Sequence, residues 1–185
     1  MNIGNSSLPE TVNDIRREIE SLERRLRLLH RDFERDEPLP ATLDILHCTT
    51  GDAHVGVPLV DIECVVSMAQ LWPSPNAQPW IRGLLNLRGV LIPVVDLGMR
   101  VGRPPRTAEL GDLIVICNLH RARVGLWIAS VIGVPRIQTA SIDRKVPELM
   151  GAPYLIGIAT VNGHSTYLLR NDALLESVES IIKEE

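Results

Sequence analysis

The chain has 185 residues, 45% of them hydrophobic and 23% charged, which suits one globular domain, or two small lobes with an appendage. A formal net charge of −4 offers no electrostatic footprint for nucleic acid or for an anionic membrane surface. Aromatic residues make up only 3%, so the core must be assembled from Leu, Val, Ile and Ala.

Residues 7–35 carry a helical signal. Leu8, Val12, Ile15, Ile19, Leu22, Leu26, Leu29 and Phe33 recur at alternating spacings of four and three, an unbroken heptad seam. Ser7 supplies an N-cap, Glu10 closes a capping box, and Pro9 sits in the first turn. Glu20 with Arg24 and Glu23 with Arg27 are i,i+4 pairs in the favourable order. The pattern stops at Pro38 and Pro40, giving a helix about 40 Å long. Such a helix lies on its own domain, self-associates, or joins a partner's helices. A parallel homodimer would oppose Glu18 to Glu23 and Arg25 to His30, so it is the least favoured arrangement. The division expected is 1–40 for helix and Pro-marked joint, and 41–185 for the body.

From residue 41 the period shortens to apolar runs broken by turn signals. Thr50-Gly51-Asp52, Arg88-Gly89, His120-Arg121-Ala122 and Asn162-Gly163 each separate two such runs, which predicts four hairpins. A final helix is expected from Asn171 as N-cap, with Leu174, Leu175, Val178, Ile181 and Ile182 on one face. The first hairpin shifted by 69 places Ile45, Cys48, Val55 and Gly56 on Ile114, Cys117, Val124 and Gly125. The second, shifted by 74, places Gly83, Leu87 and Gly89 on Gly157, Val161 and Gly163. Two related β-barrels in tandem are therefore expected within one body.

The repeat isolates Arg88. Its counterpart is Asn162, which needs only backbone permissiveness, so Gly89 is the structural member of the turn. An exposed arginine at a tight turn rimmed by apolar strands is a candidate contact for an acidic or carbonyl-rich partner.

Catalytic chemistry finds no support. Glu63, Asp96, Asp112 and the five histidines form no nucleophile–base motif, no phosphate loop and no metal spacing, so neither cofactor nor metal is expected. Cys48, Cys64 and Cys117 each sit in an apolar run and read as buried reduced thiols. Trp72 and Trp80 flank a Pro-rich loop and are expected to cap a barrel. Apolar runs fall well short of the roughly 20 residues of a membrane span, and no leader-like start is present, so a cytoplasmic location is expected.

The string IRGLLNLRGVLIPVVDLGMRVG at 81–102 resembles the signature of CheW-like domains, and the resemblance extends from about Leu43 to Leu175. It implies a mainly β fold of two five-stranded SH3-like barrels. It also implies a non-enzymatic adaptor that couples the cytoplasmic tips of chemoreceptors to the regulatory domain of a CheA-type histidine kinase. Recruitment to membrane receptor arrays, without insertion, would follow. Carried over onto this sequence, the NLRG residues Asn86, Leu87, Arg88 and Gly89 would contact a partner, with Ile62 and Val131 in an apolar groove near the barrel junction. The chain departs from the family pattern at Cys64 and Ala129, where acidic residues are frequent, and in its heptad helix. A divergent localisation factor that docks through that helix is the alternative.

Overall fold

The computed structural model describes residues 40–75, 77–119, 122–145 and 154–170. The expected heptad helix and the helix from Asn171 lie outside the described residues. In chain order the elements are β1 (Thr42–Thr50), β2 (Ala53–Pro58), β3 (Ile62–Ser67), β4 (Ile81–Leu87), β5 (Val90–Asp96), α1 (Leu97–Arg100), β6 (Leu113–Leu119), β7 (Ala122–Ile128), β8 (Ser130–Gly133), β9 (Arg136–Gln138), β10 (Leu155–Val161) and β11 (His164–Leu169).

All four expected hairpins form: β1–β2, β4–β5, β6–β7 and β10–β11. Their turns are two residues long, since Thr50 pairs Ala53, Leu87 pairs Val90, Leu119 pairs Ala122 and Val161 pairs His164. Ala122, expected in the third turn, therefore belongs to β7. Strands β8 and β9 were not anticipated, because each is too short to show a period.

The repeats do not stand in tandem. One sheet runs β10-β11-β2-β1-β8, with β9 also pairing β1, and the other runs β3-β6-β7-β5-β4. Each sheet thus joins the first hairpin of one repeat to the second hairpin of the other, and the strand counts are six and five rather than five each. Both joins are parallel, β2 with β11 and β5 with β7. The pairs Gly56↔Leu168 and Gly125↔Val94 are equivalent under the 69- and 74-residue shifts, so the exchange is reciprocal. Internal similarity identified the hairpins correctly, but hairpins exchanged between repeats leave every local pairing the same.

The core lies between and within the sheets. Leu46, Cys48, Val55 and Val57 of the first sheet pack with Val95, Val115, Cys117, Val124, Leu126 and Ile128 of the second. On the other face of the second sheet, Leu85, Ile92, Val94, Ile114, Ile116 and Trp127 form a separate cluster. Strands β6 and β7 are therefore buried on both faces, which explains their near-continuous apolar runs. At the junction, the Arg100 guanidinium lies 4.2 Å from the Trp80 ring and 3.6 Å from the Tyr154 ring. Those two aromatics are repeat equivalents, and each offers its carbonyl to an equivalent backbone N–H, Asp96 at 2.8 Å and Arg170 at 2.7 Å.

Gly83 and Gly157 mark equivalent bulges in β4 and β10. Opposite them the chain makes single two-bond bridges, Trp72 with Leu84 and Asp143 with Ile158. A Cβ on Gly83 would strike the Trp72 carbonyl, and Gly83 also has φ +139°. A Cβ on Gly157 would come within 2.5 Å of the Asp143 carbonyl oxygen. Backbone cannot yield as a side-chain tip can, so Gly83→Ala and Gly157→Ala should each cost about 2 kcal/mol or more in urea unfolding. Gly89→Ala, whose Cβ would meet only open space, should cost less, about 1 kcal/mol, from its φ of +85° alone.

Candidate functional site

Arg88 and Gly89 both have positive φ, +54° and +85°, as do Asn162 and Gly163, +51° and +82°. Paired positive φ values are those of a type I′ hairpin turn, which matches the right-handed twist of the flanking strands. The left-handed region suits Asn and Gly but costs an ordinary side chain about 1 kcal/mol. Arginine therefore occupies a position whose backbone prefers the residue found in the other repeat. The turn is held from within: Asn86 Oδ1 accepts from the Gly89 N–H at 2.9 Å. Asn86, expected to touch a partner, is thus given a local fastening task. Leu87 is half-buried against the second sheet's inner cluster.

Several other arginines are committed within the fold. Arg82 and Arg106 lie 4.7 and 4.2 Å from the Trp127 ring, and Arg103 faces Asp52 at 3.3 Å. Arg123 pairs Glu63 at 2.7 Å, and Arg136 grips Asp44 through two hydrogen bonds. Arg88 is exposed and makes no side-chain hydrogen bond or ion pair among the described residues.

Ile62 and Val131 are repeat equivalents at matching registers, Ile62 opposite Cys117 and Val131 opposite Cys48. Ile62 is half-buried against the shared core, and Val131 is 38% exposed. They sit on edge strands of different sheets, and Arg88 caps the hairpin at the far end of the second sheet's pairing order. Sequence reasoning missed Ile132 and Val134, which are exposed beside Val131 on β8 and just beyond it. Three exposed apolar residues within five positions of a sheet edge form a contact-prone strip. Its signal was the run SVIGVP, apolar yet bounded by Gly and Pro.

The departure at Cys64, with Glu63 one step earlier, has a structural answer. Cys64 turns inward against the second sheet's cluster, while Glu63 faces out and is taken by Arg123. Cys48 and Cys117 are buried, as expected, and Cys64 is half-buried; all three are free thiols. Burial pushes the Cys48 thiol up to about 12, so it is inert at neutral pH. Trp80 packs on the shared core, but Trp72 is 61% exposed and only its backbone bridges β4. Among the described residues no helix is long and apolar enough to cross a membrane.

At the opposite end of the strands from the turn, Asp112 anchors the loop between α1 and β6. Its buried Oδ2 accepts from Arg106 at 2.9 Å, the Glu109 N–H at 2.8 Å and the Trp127 indole N–H at 2.9 Å. Burial raises its carboxyl, but these donors outweigh burial and hold it below the usual carboxylate range. Its contribution to stability is therefore complete above about pH 4 and lost only as pH falls through the depressed value. Asp112→Asn would strand the Arg106 guanidinium beside a neutral amide, costing about 3 kcal/mol in urea unfolding. Trp127 fluorescence reports that change directly.

Residues 44–179 match the CheW-like domain family. The chain is 24% identical to the chemotaxis protein CheW of Klebsiella aerogenes over 139 residues, 74% of this chain and 83% of that relative. It is 28% identical to the chemotaxis protein CheW of Thermotoga maritima over 119 residues, 64% of this chain and 78% of that one. The crystal structure of the scaffolding protein TtCheW from Thermoanaerobacter tengcongensis superposes with a TM-score of 0.64 at 26% identity, covering 73% of this chain and 87% of that chain. With the match spanning both sheets, this chain belongs to the CheW-like domain family.

Proposed function

We propose that this protein is a non-catalytic cytoplasmic adaptor that couples chemoreceptor tips to the regulatory domain of a CheA-type histidine kinase. Membership of a family whose similar proteins are chemotaxis and scaffolding proteins supports an adaptor. The observation that carries the contact assignment is Arg88 itself. An arginine held in a left-handed turn, with no partner among the described residues, spends conformational energy on a side chain that the fold does not use. Its planar guanidinium suits a carboxylate or a row of backbone carbonyls on another protein. Ile62 and the strip Val131, Ile132 and Val134 add apolar area for docking.

Calorimetric titration into the regulatory domain of a CheA-type kinase from the same genome tests this reading. Micromolar or tighter binding is expected. Arg88→Glu should leave thermal stability nearly unchanged and weaken binding. Arg88→Asn should raise stability by about 1 kcal/mol through relief of the turn, again with weaker binding. Stability lost in either variant would make Arg88 a structural residue. Folded protein that ignores the kinase domain would overturn the coupling role.

A further inference from the structure

The two sheets differ in what fills their inner faces at the parallel joins. In the second sheet Ile116, Val94 and Ile92 meet there, all buried and apolar. The equivalent positions in the first sheet are His47, Leu168 and Thr166, and all three are buried. Around His47 lie two more histidines. His47 Nε2 is 3.0 Å from His54 Nδ1 across the β1–β2 pair, and the His54 ring stacks on His164 of β11 at 4.0 Å with 13° between planes. Their repeat counterparts are Arg123 and Val90, so no ring cluster exists on the other side.

The Thr166 hydroxyl donates to the His164 carbonyl at 3.1 Å, and its oxygen lies 3.5 Å from His47 Nε2. Taking the neutral tautomer of His47 with its proton on Nε2, that proton serves the lone pair of His54 Nδ1 at 3.0 Å, with the Thr166 oxygen a longer second acceptor. Its other nitrogen, Nδ1, is buried without a hydrogen-bond partner among the described residues. A second proton on His47 would go to that nitrogen, where no acceptor waits. A proton on His54 Nδ1 would face the Nε2–H of His47 and break the bond between them.

We propose that His47 and His54, with His164 stacked on the outer ring, form a proton-sensitive lock on the β2–β11 join, closed when His47 and His54 are neutral and strained open when they charge. Among the described residues the surroundings supply no compensation. Strand β8, which sets Gly133 beside His47, carries no titratable side chain, and neither does β10. On β9, Arg136 is paired with Asp44 at the far end of β1, and Asp52 in the β1–β2 turn faces Arg103. Cys48 points into the shared core, away from the rings, and Tyr167 alternates to the face opposite Thr166 and packs there too. Burial, then the charges of His54 and His164, depress the His47 value below 6.5; burial, then His164, depress that of His54. The unfolded chain therefore takes up protons first. Stability is complete above about pH 6.5 and declines as pH falls below it toward the depressed folded values.

Hydrogen exchange of the full-length protein between pH 7.5 and 5.5, corrected for intrinsic rates, tests the lock. Amides of Val55, Gly56, Tyr167 and Leu168 should lose about tenfold in protection at the lower pH, the equivalent of one pKa unit. Those of Val94, Val95 and Leu126 on the apolar join should hold. His47→Gln combined with His54→Gln and His164→Gln removes every titrating ring of the cluster and should abolish the difference between the joins. Parallel loss at both joins, or loss that persists in the triple variant, would overturn the proposal. Imidazole nitrogen shifts of the unmutated protein give a second reading, and a His47 midpoint at or above 6.5 would also refute it.

Discussion

The two parallel joins, β2 with β11 and β5 with β7, are the constraint on which the rest of the structure depends. Neither repeat can close a sheet alone, because its first hairpin finds its neighbour only in the other repeat. The consequence is unequal in sequence. All five strands of the second sheet fall between Ile62 and Ile128, whereas the first sheet gathers strands from both flanks of that stretch. Its join pairs Gly56 with Leu168, so a loop holding the entire second sheet must be closed before the contact forms. The entropy of closure grows only slowly with loop length, but the folding rate falls as contacts become less local. The second sheet thus has the means to assemble first and to serve as the wall on which the first is completed.

Equivalent glycines make the exchange sterically feasible. At Gly56 a Cβ would lie 2.7 Å from both Ile45 Cδ1 and Leu168 Cδ2; at Gly125 it would lie 2.8 Å from Ile114 Cγ2 and 3.1 Å from Val94 Cγ2. In each sheet the missing methyl lets an isoleucine from the hairpin partner and an aliphatic residue from the parallel partner meet over the strand. The shared core on the opposite face is then bounded by the same strands, so tight packing within one sheet sets the spacing between both. Arg100 completes the junction, since one guanidinium against two equivalent aromatics breaks the repeat symmetry at the point where the halves meet.

Much of this was legible in the sequence, and what was not has identifiable causes. The four hairpins were readable because each tight turn needs residues tolerant of positive φ or polar turn formers, and these punctuate apolar runs. The pairing of hairpins into sheets was not, because period-two patterns specify faces and not neighbours. Strands β8 and β9 are too short to show alternation. That the Asn86 side chain closes the turn on Gly89 was not readable either, because nothing local in the sequence reveals it. The histidine cluster was hidden for a related reason: His47, His54 and His164 come together only through the β2–β11 join, which the repeat comparison did not expose. The one available sign was a histidine at 47 where the second copy has Ile116.

The distribution of buried polar groups follows from the same asymmetry. The second sheet admits Asp112 at its rim only with three donors, and Arg106 satisfies the carboxylate while covering Trp127. The Asp112 carboxylate is met by three donors and stays ionised across neutral pH, although Arg106 keeps Nε and Nη2 unmet among the described residues. The first sheet buries His47 with Nδ1 unmet among the described residues, at a position that Ile116 shows an aliphatic side chain can fill. Asp96 Oδ2 on the β5–β7 join is likewise unmet, so what sets the first sheet's join apart is its ring cluster and not an unmet atom. That join is the one that holds β1, and through it the edge strand β8 with its exposed Val131 and Ile132. Whatever loosens the histidine lock therefore acts on the strand that presents this apolar strip, whereas the Arg88 turn, anchored to the apolar join through β5, is insulated from it.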